Sequence, residues 1–502
     1  MIKKSLCVIL AAVLSVSSLT ACGQNKSEND SSNTTADISK LDNLLDKDSP
    51  VTINVWHYYN GVQQTEFNKM VSDFNNSVGL EKGIIVNATT KTTVDDLSKN
   101  VVASVKGDPG ADSPPDIFCT YAETAYTIDK LGKLADLKKY FSDDELDDYV
   151  DNYIKEGDIL NKGELKIFPT AKSTEVMILN KTDWDKFAKA ENVSYDDLKT
   201  WESLTKVAEK YYDYTDALTP DVKDDGKAFF GRDSIANYIV VGAKQLDSPV
   251  VSVDENGKGK FNLSKDAAKK LWDNYYVPYV KGYYKAESRF RSDDAKIGSI
   301  IDLIGSTTSA IYYPTEVTID DDYTYPIDNV VLPIPNFEDA DPYVVQQGAG
   351  MSVIKSDEKK EYACSVFLKW FTDSERNIKF SIESGYLPVK KEGNNFKKIQ
   401  EIAKKNNINM NKTLVDSIKI GIDEINNSTP YTCPPFDNST TFRDTIGSYM
   451  TDTSSDDRKT VEEKIANGEN RDAVIKEFTN EKAFDRWYDQ MSQKLESVLS
   501  EK

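Results

Sequence analysis

Residues 166–181, KIFPTAKSTEVMILNK, decide the fold, because two apolar runs flank a short polar segment. Residues 167–168 and 176–179 have the continuous apolar character of strands that are covered on both faces of a sheet. Between them, Pro169 interrupts any ladder of hydrogen bonds, and residues 172–175 carry polar side chains that a buried strand would leave unpaired. The pattern predicts one strand that leaves a first core, crosses a gap and enters a second core. A single strand with an edge bulge is the alternative.

The N-terminus has the features of an export signal. Two lysines precede the apolar run 6–14, and residues 19–22, LTAC, follow at the distance typical of a cleavage site. This tetrapeptide resembles the bacterial lipobox, so we expect residues 1–21 to be removed and Cys22 to be lipidated. Residues 22–49 are rich in Ser, Asn, Asp and Lys, which predicts a flexible tether. An ordinary signal peptide with an incidental cysteine is the alternative.

Length and charge restrict the class of protein. About 450 residues follow the tether, which is too many for one core and typical of two lobes. The formal net charge is -21, so we expect the exported body to repel nucleic acid. After removal of the predicted signal, three cysteines remain besides Cys22, and their wide spacing predicts free thiols and indicates an anaerobic or reducing setting.

A single histidine, His57, excludes several chemistries. A His-rich zinc site is impossible, and any nucleophile with a histidine base would have to use this one residue. The chain has no phosphate-binding G-x-x-x-x-G-K-[ST] loop, and residues 221–226 mimic a calcium loop but place Lys223 where an oxygen ligand is needed. We therefore predict neither metal nor cofactor, and no enzymatic activity.

The first part of the body predicts two strand–helix–strand units. Strand patterns at 51–55, 84–88 and 115–119 are separated by segments of helical periodicity. Such units build a parallel sheet with right-handed crossovers, and ligands bind beyond the carboxyl ends of its strands. The side chains that this rule places on one rim are Trp56, His57, Tyr58, Tyr121 and Glu123.

Aromatic rings beside a carboxylate are suited to sugars, because rings cover the apolar sugar face and the carboxylate accepts hydrogen bonds from hydroxyls. Core aromatic residues beside a solvated glutamate are the alternative. Further along, a strand at 297–304 runs into GSTTS at 305–309, where hydroxyls and backbone N–H groups suit an anion or a polyol. Pro388 keeps Leu387 extended, so the chain turns back toward the second lobe after Gly385.

These segments, in this order, resemble the family 1 extracellular solute-binding proteins, the capture components of bacterial ABC importers. The resemblance covers residues 50 to about 500. The segments that carry it are LTAC (19–22), VTINVWH (51–57), PDIF (115–118), KSTEVMILNK (172–181), GSTTS (305–309), QGAG (347–350), VFLKWFTDSE (366–375) and SGYLPV (384–389). The resemblance implies a type II two-lobe α/β fold, each lobe a largely parallel sheet flanked by helices, that closes on a solute at a hinge.

The hinge implied by the resemblance consists of three crossings, near Ser173, Asn336 and Pro388. The first lobe would then comprise residues 50–172 with 340–386, and the second lobe residues 173–339 with 387–502.

Within the family, the closest pattern is the glycerol-3-phosphate-binding branch, which shares W-H-x-x-x-G, S-T before the crossing strand, and G-Y-L-P. An aromatic ring expected near Thr90 in that branch is absent, which favours ordinary sugars. The contacts carried over from that branch are Glu123, Ser173, Ser306, Gly348, Tyr386 and Arg443. With the rim and the neighbouring polar residues, the predicted solute contacts are Trp56, His57, Tyr58, Tyr121, Glu123, Ser173, Glu175, Ser306, Thr307, Gly348, Tyr386 and Arg443.

The resemblance implies a monomeric protein that is anchored through Cys22 to the outer face of the membrane of a Gram-positive bacterium. It would capture a carbohydrate and deliver it to the permease subunits of an ABC importer. One alternative is a protein that binds glycerol 3-phosphate or another polyol phosphate. A second is a secreted glycoside hydrolase with paired carboxylates such as Glu123 and Glu175, and a third is a structural surface lipoprotein.

Overall fold

A computed structural model of the chain describes residues 40–254, 256–408 and 411–501. Cys22 and the predicted signal and tether up to residue 39 lie outside the described residues. The strands are β1 (Val51–His57), β2 (Ile84–Thr90), β3 (Ile117–Thr120), β4 (Phe168–Pro169), β5 (Glu175–Asn180), β6 (Phe230–Arg232), β7 (Val251–Val253), β8 (Gly259–Phe261), β9 (Asp302–Ser306), β10 (Glu316–Thr318), β11 (Thr324–Pro326), β12 (Asn329–Leu332), β13 (Tyr343–Val345), β14 (Gly350–Val353) and β15 (Thr429–Tyr431).

Helices cover both sheets. They are α1 (Gly61–Asn75), α2 (Val78–Lys82), α3 (Val94–Lys106), α4 (Ala122–Asp129), α5 (Asp143–Asp147), α6 (Asp151–Gly157), α7 (Lys181–Glu191), α8 (Trp201–Asp216), α9 (Ile235–Gln245), α10 (Lys265–Asn274), α11 (Tyr276–Val280), α12 (Arg291–Lys296), α13 (Glu358–Phe371), α14 (Ser374–Ser384), α15 (Phe396–Lys405), α16 (Lys412–Asn427), α17 (Ser439–Ala466), α18 (Arg471–Thr479) and α19 (Glu481–Ser500). None of these described helices combines the length and the apolar character needed to cross a membrane.

The first sheet has the strand order β2-β1-β3-β14-β4, and the second has the order β12-β5-β9-β6. We call each sheet with the helices packed on it a lobe. β1 runs parallel to β2 and β3, as the strand–helix–strand units predict. β14 and β5 instead run antiparallel to their neighbours, because each enters its sheet from a segment that passes between the lobes. Each sheet therefore has one reversed strand, and its other strands share one direction, so both sheets are largely parallel as the resemblance implies.

The stretch 166–181 passes from one sheet to the other. β4 forms the edge of the first sheet, β5 lies inside the second, and both are buried. In between, Ser173 forms a bridge with Gln347 of the returning chain, and its N–H donates to the Gln347 carbonyl at 2.8 Å. Backbone N–H and C=O groups of the polar segment are thus hydrogen-bonded, as their burial requires.

Residues 387–405, which the resemblance assigns to the second lobe, contact mainly the first. The Val389 carbonyl accepts from the Val150 N–H at 3.0 Å, and the Val389 N–H donates to the Asn377 side chain at 2.9 Å. α15 then packs on α14 of the first lobe. α16 lies against β12 of the second lobe, so the chain crosses between α15 and α16.

The C-terminal helices complete the second lobe. α17 packs along α9 and α11, and α19 lies across α17. Buried Phe442, Ile446 and Met450 recur at helical spacing on one face of α17, which fixes the face that it presents to the core. This packing brings the first turn of α17 to the space between the lobes.

Candidate functional site

A cavity of about 400 Å³ lies between the two lobes and is lined by both. We call it the cleft cavity. The first lobe contributes the N-terminal turns of α3 and α4, and the second contributes α9 and the start of α17, while the ends of β13 and β15 form the wall between them. Its polar and aromatic side chains are Asp95, Ser98, Lys99, Tyr121, Glu123, Thr124, Glu156, Asn237, Gln346, Gln347, Tyr431, Thr432, Thr440, Arg443 and Asp444.

The end of β3 positions the first-lobe side chains. The strand ends at Thr120, and α4 begins at Ala122, so Tyr121 and Glu123 stand at the carboxyl end of a sheet strand. Glu123 lies in the first turn of α4, where the helix dipole stabilises negative charge. Asp95 has the same place in α3. Two carboxylates thus face the cleft cavity from helix N-termini.

Burial and neighbouring charges both shift the pKa values of carboxyl groups in the cleft cavity. Burial raises the pKa of Glu123, and the nearby Arg443 guanidinium opposes that shift. Burial also raises the pKa of Asp444, and the Asp95 carboxylate adds to that shift. Glu156 is different, because the buried Lys172 ammonium lies 2.5 Å from its carboxylate and neutralises it.

A chain of polar contacts leads from Arg443 into the second lobe. The Arg443 guanidinium donates to the side-chain oxygen of Asn237, a buried residue of α9. The Asn237 Nδ2 group donates to Glu175 at 2.8 Å and to the Gln347 side chain at 3.1 Å. Glu175 in turn forms a buried ion pair with Arg232. These hydrogen bonds connect the Arg443 guanidinium, through Asn237, to the hinge region and hold it in position.

Aromatic rings occupy two levels of the first-lobe wall. Tyr121 lines the cleft cavity, and Tyr58 stacks behind it with ring centroids 6.5 Å apart. The Tyr58 hydroxyl lies 3.3 Å from the Tyr386 hydroxyl and accepts from the Ala349 N–H at 3.3 Å. Both inner rings are buried, so Tyr121 is the ring of this group that a solute can reach.

Of the twelve solute contacts predicted from sequence, Tyr121, Glu123 and Arg443 line the cleft cavity. Trp56 does not, because it is only 6% exposed and its ring is covered by the Lys91 ammonium, 3.9 Å from the ring centroid. His57 packs between Tyr59 and Phe67 in the first-lobe core. Burial lowers the pKa of His57 to about 4, so it is neutral near pH 7. Both residues belong to β1 itself, which extends further than the sequence pattern predicts.

The remaining predicted contacts do not line the cleft cavity either. They are buried or bonded to other parts of the protein. Ser173 pairs through its backbone, and Glu175 is held by Arg232. Ser306 caps the 3-10 helix Thr307–Tyr312, and Thr307 is fully buried. Gly348, with φ 84°, accepts the Lys172 ammonium on its carbonyl at 2.9 Å. Tyr58 and Tyr386 form the buried ring layer described above.

Sequence reasoning missed several cavity residues, notably Asn237, Lys99, Tyr431 and Asp444. Asn237 had one available signal, since it is a polar residue within the apolar helix α9. Cys433 also lines the cavity and carries a free thiol. Among the residues that the structure describes, no cluster of His, Cys, Asp and Glu has the arrangement of a metal site.

Comparison with known proteins agrees with this architecture. The cyclic alpha-maltosyl-1,6-maltose binding protein from Arthrobacter globiformis is similar with a TM-score of 0.64 and 17% identity, covering 90% of this chain and 99% of that one. UgpB from Mycobacterium tuberculosis, solved with glycerophosphocholine, is similar with a TM-score of 0.63 and 17% identity, and the match covers the same shares of the two chains. An ABC substrate-binding protein from Listeria monocytogenes, solved with cycloalternan, is similar with a TM-score of 0.60 and 18% identity, covering 89% of this chain and 100% of that one.

At these identities the structural likeness concerns the fold. No curated protein sequence matches the chain. The sequence profile of the bacterial extracellular solute-binding proteins matches residues 69–407, which is more than half of the chain. The chain therefore belongs to the bacterial extracellular solute-binding protein family.

Proposed function

We propose that the chain captures a neutral carbohydrate in the cleft cavity and delivers it to the permease of an ABC importer. The observation that carries the proposal is a cavity of about 400 Å³ lined by both lobes, with Tyr121 and Tyr431 beside carboxylates and amides. A volume of this size is within the range of small-molecule sites. Rings supply surfaces for a sugar face, and the polar groups supply partners for its hydroxyls.

The charges of the cavity favour a neutral solute over a phosphate. After Glu156 is neutralised by Lys172, the carboxylates of Asp95, Glu123 and Asp444 face the ammonium of Lys99 and the guanidinium of Arg443. The excess of negative charge opposes an anion. Helix N-termini are ready anion sites, yet those of α3 and α4 already carry Asp95 and Glu123 in their first turns.

A polyol phosphate is the second candidate, and Arg443 is the residue that favours it. Its guanidinium fork could hold a phosphate bidentately. One of its donors is however committed to Asn237, which leaves fewer N–H groups for a solute. UgpB, which shares the fold, was solved with glycerophosphocholine, so phosphodiesters belong in the same test.

The two carboxylates on which the hydrolase alternative depends, Glu123 and Glu175, do not lie in one site. Glu175 is buried in the ion pair with Arg232 and does not line the cleft cavity with Glu123. The two carboxylates therefore cannot flank one glycosidic bond in this arrangement. We propose that the protein binds its solute without chemical change, and that Cys22 carries the lipid that keeps the monomer at the outer face of the membrane.

A thermal-shift panel tests the function. The purified protein is heated with neutral di- and trisaccharides, with glycerol 3-phosphate, and with glycerophosphocholine. A solute at 100 times its Kd stabilises the folded protein by about 2.7 kcal/mol. We expect a neutral saccharide to raise the melting temperature and the two phosphates to leave it unchanged. Stabilisation by a phosphate alone would reverse the assignment, and release of a product from a saccharide would overturn the binding role.

A further inference from the structure

We propose that a clasp outside the cleft cavity holds the two lobes together without a solute. Its members are Tyr126 and Lys130 on the first lobe and Gly257 and Asp437 on the second. The proposal concerns the regulation of the site described above and rests on the function proposed for it. A solute would then enter by releasing the clasp or from another side of the cleft.

The clasp lies directly beside the cavity. Glu123 and Thr124 line the cavity from the first turn of α4, and Tyr126 and Lys130 follow on that helix and at its end. On the second lobe, Asp437 precedes Thr440, which lines the cavity from the start of α17. The chain segments that line the cavity therefore continue directly into the clasp.

Four contacts build the clasp. The Lys130 ammonium lies 2.5 Å from the Asp437 carboxylate. The Tyr126 hydroxyl lies 3.3 Å from the same carboxylate and 3.4 Å from the Gly257 carbonyl. The Asp437 N–H donates to that carbonyl at 3.3 Å, which joins the turn after β7 to the segment before α17. Two separate segments of the second lobe thus converge on one tyrosine of the first.

Burial decides which contact matters most. The Lys130 and Asp437 side chains are 49% and 52% exposed, and an ion pair this open to water contributes little. Tyr126 is only 3% exposed, and the hydroxyl end of its ring lies against Gly257 of the second lobe. The buried Tyr126 ring therefore contributes most to holding the lobes together. The exposed ion pair contributes little, but it forms only when the lobes are in contact and so can be used to detect that contact.

Gly257 provides the space for that ring. Its φ is +76°, and a Cβ atom on it would stand 2.2 Å from the Tyr126 hydroxyl oxygen. Asparagine tolerates this left-handed backbone, so Gly257→Asn keeps the turn but drives Tyr126 out. Gly163 is the matched control, because its φ is +75° and a Cβ there would meet nothing within 4 Å. Tyr126→Ala removes the ring without altering the turn.

Zero-length cross-linking with a carbodiimide measures the clasp in the full chain with no solute added. The reagent joins a lysine to a carboxylate only where the two are in contact, and mass spectrometry quantifies the joined peptides. Lys265 and Asp485 form the internal standard, since both belong to the second lobe, lie 2.7 Å apart and are each 51% exposed. This standard also reports that each variant is folded.

We expect the Lys130–Asp437 link in the wild type to be about as abundant as the standard, because the two pairs match in distance and exposure. Gly257→Asn and Tyr126→Ala should each lower it by about threefold or more relative to the standard, since both remove the buried ring contact. Gly163→Asn should leave the ratio unchanged.

The proposal is overturned if the unliganded wild type gives the standard link without the clasp link, or if the clasp link persists in both clasp variants. The thermal-shift panel, run on the same preparations, separates this failure from failure of the proposed function. Absence of the clasp link in the wild type, or its persistence in both clasp variants, together with retained saccharide binding refutes only the clasp. An intact clasp link with no saccharide binding refutes only the carbohydrate assignment.

Discussion

The side-chain oxygen of Asn237 accepts a hydrogen bond from the guanidinium of Arg443. Asn237 also donates to Glu175 and Gln347, which belong to two segments that pass between the lobes. One buried amide thus ties a cavity-lining cation to the hinge region. A solute that displaces Arg443 must disturb this amide, so binding and hinge geometry are coupled through a single side chain.

Asn237→Ala should weaken saccharide binding by about 1 to 2 kcal/mol, because Arg443 loses its acceptor and Glu175 loses a donor. Calorimetry with the saccharide found by the thermal-shift panel measures the loss. Asn237→Asp should lower unliganded stability further, since a new carboxylate would face the buried Glu175 carboxylate. Equal affinity of Asn237→Ala and wild type would show that the Arg443 position does not depend on Asn237.

Tyr121→Ala should weaken saccharide binding by about 1 to 3 kcal/mol while the unliganded melting temperature changes little, because its half-buried ring lines the cavity. Trp56→Ala is the contrasting variant. It removes a buried ring and should destabilise the fold by about 3 to 5 kcal/mol. Chemical unfolding and calorimetry on both variants separate the effects. Loss of affinity in a fully stable Trp56→Ala protein would restore Trp56 as a solute contact.

The sequence predicts the fold better than the site, and Trp56 and Tyr121 show why. A continuous apolar run, such as the two within 166–181, indicates a buried strand whatever the strand packs against. The end of β1 is harder to place, since aromatic residues can continue a buried strand or follow it, and a shift of two residues moves Trp56 and His57 from rim to core. Tyr121 was predicted because β3 ends cleanly at a helix start.

Asn237 is unusual as a polar residue within the apolar helix α9, but its role could not be predicted, for a different reason. Nothing near it in sequence distinguishes a buried amide from a cavity-lining one, because its role depends on Arg443 and Gln347, which are far away along the chain. Arg443 itself was found only through family resemblance. Contacts between segments that are far apart along the chain leave no periodic trace in either segment.

Arg443→Lys should cost a neutral saccharide less than about 1 kcal/mol, since lysine keeps the charge and one donor. A phosphorylated solute should lose about 2 kcal/mol or more, because a bidentate contact to phosphate is lost. Calorimetry of both proteins against a saccharide and its phosphate distinguishes the cases. Tight phosphate binding by the wild type that collapses in the variant would favour the polyol-phosphate candidate.

Glu383 predicts a pH dependence of stability. Burial, followed by a hydrogen bond that the protonated Glu383 carboxyl group donates to Glu66, raises the pKa of Glu383 from 4.5 to about 7. The folded state therefore holds a proton that the unfolded state releases more easily, so the contribution of Glu383 to stability is greatest below pH 4.5 and falls as pH rises to about 7. Allowing for solvent screening of this partly exposed pair, the loss should be about 1 to 2 kcal/mol.

Urea unfolding at pH 5 and pH 8 measures this loss. Glu383→Gln has no proton to release and keeps the hydrogen bond to Glu66, so it should lose less stability between the two pH values than the wild type. Lys379→Gln serves as a control, since it removes a neighbouring charge and retains both carboxyl groups. Parallel pH profiles of Glu383→Gln and wild type would refute the shared proton.

The clasp also changes what scattering should show. If Tyr126 already holds the lobes in the unliganded protein, a saturating saccharide should reduce the radius of gyration of Gly257→Asn more than that of the wild type. Small-angle scattering of both proteins, each with and without the saccharide, measures the difference. An equal reduction in both would show that the clasp does not restrain the lobes in solution.

Cys433 gives the protein a built-in occupancy reporter. Its thiol lines the cleft cavity, and burial raises its pKa to about 12, so little thiolate exists at neutral pH. Cys119 and Cys364 are buried, which leaves Cys433 as the most accessible of the described thiols. A solute seated against it should slow alkylation further. The rate of labelling at mildly alkaline pH can therefore report cavity filling on unmodified protein, without an engineered dye site.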